Sequence, residues 1–80
     1  MTGHNSNKHE GLPLLRYRIG KELRTIRKQC GYTQHQLAAI MGISRSTVSK
    51  IENGEFAVSL DYLELLAAYM KFEIIIKTVE

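Results

Sequence analysis

The stretch whose reading decides the fold is Thr33-Gln-His-Gln-Leu-Ala-Ala-Ile-Met-Gly-Ile-Ser-Arg-Ser-Thr-Val-Ser-Lys-Ile-Glu-Asn-Gly54. Thr33 followed by Gln36 is a capping box, in which each side chain satisfies the other's orphaned backbone donor, so a helix begins near Gln34. Leu37, Ala38, Ile40 and Met41 recur at helical spacing, and Gly42 supplies the left-handed conformation that closes the helix. Ser44 is a good N-cap for a second helix, whose Val48 and Ile51 face inward together with Ile43 of the turn. Arg45, Ser46, Ser49 and Lys50 then point outward. Small Ala38 suits the closest approach of two helices that cross steeply after a short turn. An outward face of hydroxyls and cations, with no carboxylate before Glu52, suits a groove lined by phosphates and acceptor-rich base edges. The competing reading is a solvated amphipathic helix in an ordinary bundle.

Arg24, Arg27, Gly31-Tyr32-Thr33-Gln34, Leu37-Ala38, Gly42-Ile43-Ser44, Val48-Ser49-Lys50-Ile51-Glu52-Asn53-Gly54 and Ser59-Leu60 together resemble the Xre/Cro-type helix-turn-helix family of phage repressors and bacterial regulators. The resemblance spans roughly residues 15–70. It implies an all-α, four-helix, lambda-repressor-like domain that binds double-stranded DNA. Gln34 is similar to the family's glutamine that bonds a phosphate and braces the start of the recognition helix. Ser44, Arg45, Ser46 and Lys50 match base-proximal and phosphate-proximal positions, with Thr47 and Ser49 beside them, and Asn53 matches a residue near the DNA backbone. Arg27 and Glu52 match a pair that forms an internal salt bridge. The chain departs from the pattern after Asn53-Gly54: many relatives carry Lys or Arg there, whereas this chain has Glu55-Phe56-Ala57-Val58. Phosphate contact from that loop is therefore not implied, and Phe56 and Val58 are expected to cover the core beneath it.

Charge is distributed unevenly along the chain. Residues 16–50 hold eight cations against one carboxylate, a net +7, whereas residues 51–80 hold two lysines against six carboxylates, a net −4. The basic half contains the two-helix motif, so it is the half suited to phosphate.

Eighty residues with 44% apolar content suit one small domain with a narrow stability margin. Met1 to Gly11 is polar and aperiodic and reads as a flexible tail. Pro13 is tolerable in a first helical turn, after which Leu15, Ile19, Leu23, Ile26 and Cys30 recur every three or four residues up to Gly31. Cys30 on that stripe reads as a small buried hydrophobe. Ser59 caps a last helix over Leu60 to about Met70, with Leu60, Leu63, Leu66, Ala67 and Met70 as its buried stripe and further apolar character around the cylinder. The domain core thus covers residues 12–70.

Residues 71–80 change character: Phe72, Ile74, Ile76 and Thr78 alternate within a β-branched run that includes Ile75. This reads as a strand, which needs a partner for its backbone, and nothing upstream resembles one. The simplest partner is the same segment of a second copy, giving a homodimer closed through Phe72, Ile74, Ile75 and Ile76. HipB-type antitoxins of the same family are similar in this architecture. The alternative is a helical continuation of the last helix.

One cysteine excludes an internal disulfide framework, and the lack of a long apolar run predicts neither a membrane span nor a secretory leader, hence a cytoplasmic setting; the resemblance implies a bacterial one. His4, His9 and His35 have no companions at metal spacing, and no phosphate-cradling glycine loop, nucleophile elbow or paired carboxylates are present. The expectation is a protein that is not an enzyme and needs no cofactor. The leading expectation is a dimeric repressor reading a palindromic operator through the major groove, with Arg45 as the first base reader and Lys50 the second. The other is an antitoxin that neutralises a cognate toxin protein and autoregulates its operon.

Overall fold

A computed structural model describes the backbone of residues 3–78 and the side chains of residues 15–78. Four helices follow in order: α1 (Gly3–Gln29), α2 (Gln34–Met41), α3 (Arg45–Glu52) and α4 (Leu60–Met70), and among the described residues there is no strand. The architecture is the all-α, lambda-repressor-like one.

Local chemistry sets the boundaries. Thr33 Oγ1 accepts from the Gln36 amide at 3.0 Å and Gln36 Oε1 accepts from the Thr33 amide at 2.9 Å, completing the capping box that starts α2. Ser44 and Ser59 cap α3 and α4, accepting from the Thr47 and Tyr62 amides. Gly42, at φ 70°, ends α2 in the left-handed region, and the Gly42 and Ile43 amides donate back to Ala39 and Ala38. Lys71 ends α4 the same way at φ 58° despite its Cβ.

Leu23 of α1, Leu37, Ala38 and Met41 of α2, Val48 and Ile51 of α3, and Leu66 and Met70 of α4 form one buried cluster. Ala38 is 4% exposed within this cluster.

Hydrophobic periodicity misplaced several residues. Leu15 is half exposed and Cys30 is exposed, so the inward face of α1 is rotated to Gly20, Leu23 and Arg27. The cause is that α1 rests on the carboxyl end of α3 through bare backbone and a polar pair, neither of which contributes to an apolar stripe. Cys30 is not a core hydrophobe; its Sγ lies 3.5 Å from the Met70 carbonyl at the end of α4. Leu60 is 77% exposed, because it opens α4 at the first turn, before that helix reaches the core. Phe56 is exposed and does not cover the core, although Val58 is half-buried against it.

The two ends of the domain also differ from expectation. α1 begins at Gly3, ahead of Pro13, so most of the segment read as an unordered tail has helical backbone; a helix already nucleated extends at one hydrogen bond per residue. Phe72–Thr78 is not a helical continuation: Lys71 turns the chain out of α4, and the segment runs on without helix or ladder. A ladder needs a second strand, and none is present among the described residues. Phe72 and Ile74 line a groove with Ile19, Leu23 and Ile26 of α1, which brings the segment back alongside the first helix.

Gly20 is the tightest point in the fold. A Cβ there would meet the Ile51 carbonyl oxygen at 2.5 Å and the Glu52 carbonyl oxygen at 2.6 Å, both backbone atoms that cannot rotate away. Gly20→Ala is expected to push α1 off the end of α3 and to lower stability by roughly 1–3 kcal/mol, as other overpacked sites do. Urea unfolding of the two proteins measures it, and an unchanged midpoint would show that α1 can slide at no cost.

Candidate nucleic-acid interface

Two short helices, α2 and α3, are held at a fixed angle by one buried polar knot. Glu52 is the last residue of α3, and its carboxylate is almost wholly inside. Arg27 Nε donates to its Oε2 at 2.7 Å and Arg27 Nη2 to its Oε1 at 3.1 Å, a two-pronged pair. Gln34 Nε2 donates to the same Oε1 at 3.0 Å, and Arg27 Nη1 donates to the Tyr32 carbonyl at 2.8 Å. The knot therefore fastens α1, the loop before α2, the start of α2 and the end of α3 to one another. Gln34, expected to brace the start of the recognition helix, is bonded to its end instead. The pattern of residue types could not show that difference, since a contact between Gln34 and Glu52 spans 18 residues and depends on how α2 is set against α3.

With Glu52 turned inward, the outer face of α3 carries no carboxylate. Ser44, Arg45, Ser46, Lys50 and Asn53 are exposed, while Thr47 and Ser49 are half-buried. Their freedom differs. Ser44 Oγ accepts from the Thr47 amide at 3.0 Å and lies 2.9 Å from Thr47 Oγ1, so these two hydroxyls are engaged in the cap. Lys50 Nζ stands 5.2 Å from the centroid of the Phe56 ring. Arg45, Ser46 and Asn53 have exposed polar ends on the same helix, and among the described residues Arg45 and Lys50 form no ion pair.

The residues behind this face were only partly visible in the sequence. Gly54 has φ 79°, and a Cβ there would lie 2.7 Å from the Tyr17 Cα, so the turn after α3 is pressed against α1. Tyr17 in turn lies beneath Lys21 Nζ, 5.4 Å from the ring centroid. Gly54 was marked by its place in the Asn-Gly turn, but Gly20 and Tyr17 carry no local signal; only the three-dimensional crossing of α1 over α3 selects them. Lys21, Arg24 and Lys28 line a shallow basic hollow along the outer side of α1.

Two adjacent short helices joined by a left-handed glycine turn, the second braced at its end and free of carboxylates on its outer face, define a helix-turn-helix domain. A family model described as Helix-turn-helix matches residues 23–75. The chain belongs to this Xre/Cro-like helix-turn-helix family of DNA-binding transcriptional regulators. Antitoxin PezA of Streptococcus pneumoniae is 40% identical over 48 residues, 60% of this chain and 30% of that protein. The Competence pilus inhibition repressor of Acinetobacter baylyi is 45% identical over 49 residues, 61% of this chain and 44% of that protein. The HTH-type transcriptional regulator SlrR of Bacillus subtilis is 39% identical over 57 residues, 70% of this chain and 38% of its own. The chain thus spans less than half the length of each of these curated relatives.

The knot makes an asymmetric stability prediction. Glu52→Ala strands the Arg27 guanidinium in the interior and is expected to cost about 3–5 kcal/mol, whereas replacing both partners together with apolar residues, as in the Arg27→Met, Glu52→Leu double variant, is expected to cost much less. Chemical denaturation of Arg27→Met, Glu52→Leu and the double variant gives the comparison. A double variant as unstable as the sum of the singles would mean that the pair acts only through packing.

Proposed function

We propose that this protein is a sequence-specific regulator that binds duplex DNA as a homodimer and represses transcription by occupying promoter DNA in the cytoplasm. The observation that carries the reading is the outer face of α3: exposed Arg45, Ser46, Lys50 and Asn53 on a helix whose one carboxylate is turned inward. In this reading α3 enters the major groove, where Arg45 reads guanine through a two-pronged contact to O6 and N7. Ser46 and Ser49 act as adaptable donors. Gln34, Ser44, Thr47 and Asn53 hold register on the backbone, Gln34 and Ser44 with whatever capacity their internal bonds leave free.

Dimerisation supplies the second half-site. Ile74 is 51%, Ile75 69% and Ile76 94% exposed, a run of β-branched residues whose apolar surface is left to water in a single chain. Pairing of Phe72–Thr78 with the same segment of a second copy would satisfy its backbone and cover those side chains at once. Two α3 helices related by a two-fold axis would address major-groove faces about 34 Å apart, so the operator is a palindrome.

A second reading adds a protein partner. One of the similar proteins is the antitoxin PezA, and the acidic half of this chain, a net −4 over residues 51–80, is poorly suited to phosphate. In that case the C-terminal half neutralises a cognate toxin and DNA binding autoregulates the operon. A co-transcribed neighbouring reading frame that is toxic alone and harmless when expressed with this chain would establish it; an isolated gene would favour the plain repressor.

Selection of bound sequences from a random duplex pool tests the main reading, and recovery of a palindrome with two equal half-sites is the expected result. Arg45→Ala should relax base preference at one position in each half-site, removing roughly 1–3 kcal/mol of discrimination there. An affinity loss equal for every sequence would make Arg45 a backbone contact, and binding without salt dependence would defeat the proposal, since cations beside phosphate give a steep salt slope.

Deletion of residues 72–80 tests the dimer separately. The truncated chain is expected to sediment as a monomer at concentrations where the full chain is dimeric, and a truncated chain that stays dimeric would move the interface to α4.

A further inference from the structure

Phe56 is an aromatic residue without a place in the core: it is 44% exposed, on the loop that follows the Asn53-Gly54 turn. Its backbone is nevertheless anchored. The Glu55 and Phe56 amides both donate to the Lys50 carbonyl, at 2.8 and 3.3 Å. This bond pattern returns the loop to the last turn of α3 and places the ring next to the Lys50 side chain. The Lys50 ammonium stands 5.2 Å from the ring centroid, within the range where the negative face of an aromatic ring attracts a cation. Among the described residues Lys50 has no carboxylate within ion-pairing distance, so the ring is the group that orients it. The ring borders one groove together with Leu15, Ile19 and Ile51.

We propose that Phe56 is a positioning residue that holds the Lys50 ammonium at the loop edge of α3, so that Lys50 contacts a phosphate and does not read a base. This rests on the reading of α3 as the DNA-entering helix. A free lysine on the outer face of a groove-bound helix can extend to base edges ahead of it. A lysine folded back toward the loop instead presents its charge to the side, where the sugar-phosphate rail bordering the groove would run. As a compact point charge on a flexible stem, an ammonium suits that task, since a phosphate contact demands no planar two-pronged geometry.

The test uses the full chain, the duplex recovered from random-pool selection, and its single-base variants. In the free protein, the Lys50 ε-methylene protons should be shifted upfield by the ring and return to ordinary positions in Phe56→Leu. Lys50→Gln should weaken binding to every duplex by one common factor and reduce the slope of log affinity against log salt by about 0.9. Phe56→Leu should create a new base preference in each half-site, which disappears in the Phe56→Leu, Lys50→Gln double variant. Phe56→Tyr, which keeps the ring, should behave like the parent protein.

A change in base preference on Lys50→Gln alone would overturn the proposal, because Lys50 would then be a base reader. So would a Phe56→Leu protein whose lysine shifts and sequence preference match the parent. Failure of the parent to bind any duplex would remove the DNA reading and the phosphate assignment with it, while the proton shifts of the free protein would still report separately whether the ring holds the ammonium.

Discussion

Burial of the Glu52 carboxylate is the constraint on which the rest of the domain depends. Taking a carboxylate and a guanidinium out of water costs several kcal/mol each, and their attraction offsets that only when the geometry is good and the remaining lone pairs are satisfied. Here Oε2 accepts from Arg27 Nε, and Oε1 accepts from both Arg27 Nη2 and Gln34 Nε2. These bonds are directional, whereas the surrounding contacts of Leu23, Leu37, Val48 and Ile51 would tolerate rotation of one helix against another. The apolar cluster gives the domain its cohesion. The knot defines the angle and rotation of α3.

That rotation has a chemical consequence. Glu52 lies inside because Arg27 and Gln34 draw it there, and an α-helix that turns positions 48, 51 and 52 inward must turn 46, 50 and 53 outward. The same backbone turn is closed from behind by Gly20 and Gly54, each pressed against backbone with no room for a Cβ. The outer face of α3 is therefore not merely a set of polar residues left over from packing. It is held at one orientation by a carboxylate on one side of the helix and two glycines at its end, and a recognition surface needs that rigidity to keep side chains in register with base edges.

Legibility in the sequence followed the range of the interaction. Helix starts at Thr33, Ser44 and Ser59 and the turn at Gly42 were readable because a cap is chemistry between residues two or three apart. Leu37, Ala38 and Met41 of α2 and Val48 and Ile51 of α3 were readable from an ordinary apolar period, whereas Ile40, assigned to the same face, lies outside the buried cluster. α1 was misread at Leu15 and Cys30, since its contact with α3 is made by Gly20, which has no side chain, and Arg27, which no hydropathy pattern would place inside. Leu60 was assigned to the core because it fits the period of α4, but periodicity gives direction around a helix and not distance along it. Arg27 with Glu52 came only from the resemblance, as pairing across 25 residues has no local signature. Lys50 over Phe56 is shorter in range and still has no sequence signature, because it depends on how the loop folds back and not on spacing along a helix.

The C-terminal segment shows the same division between local and distant causes. Its departure from α4 is local: Lys71 adopts the left-handed conformation, and the β-branched run after it is a poor continuation for a helix. Its final pairing is not local, because the unmet backbone groups of an extended segment have to be answered from outside it. Packing of Phe72 against the core answers for some of the apolar surface but leaves Ile74, Ile75 and Ile76 exposed to water. Phosphate-suited charge lies in the first half of the chain and most of the uncovered apolar surface in the second, so the two halves make different demands on their surroundings. A duplex can meet the first demand but not the second, and that mismatch is the physical reason to look for a second polypeptide at residues 72–78.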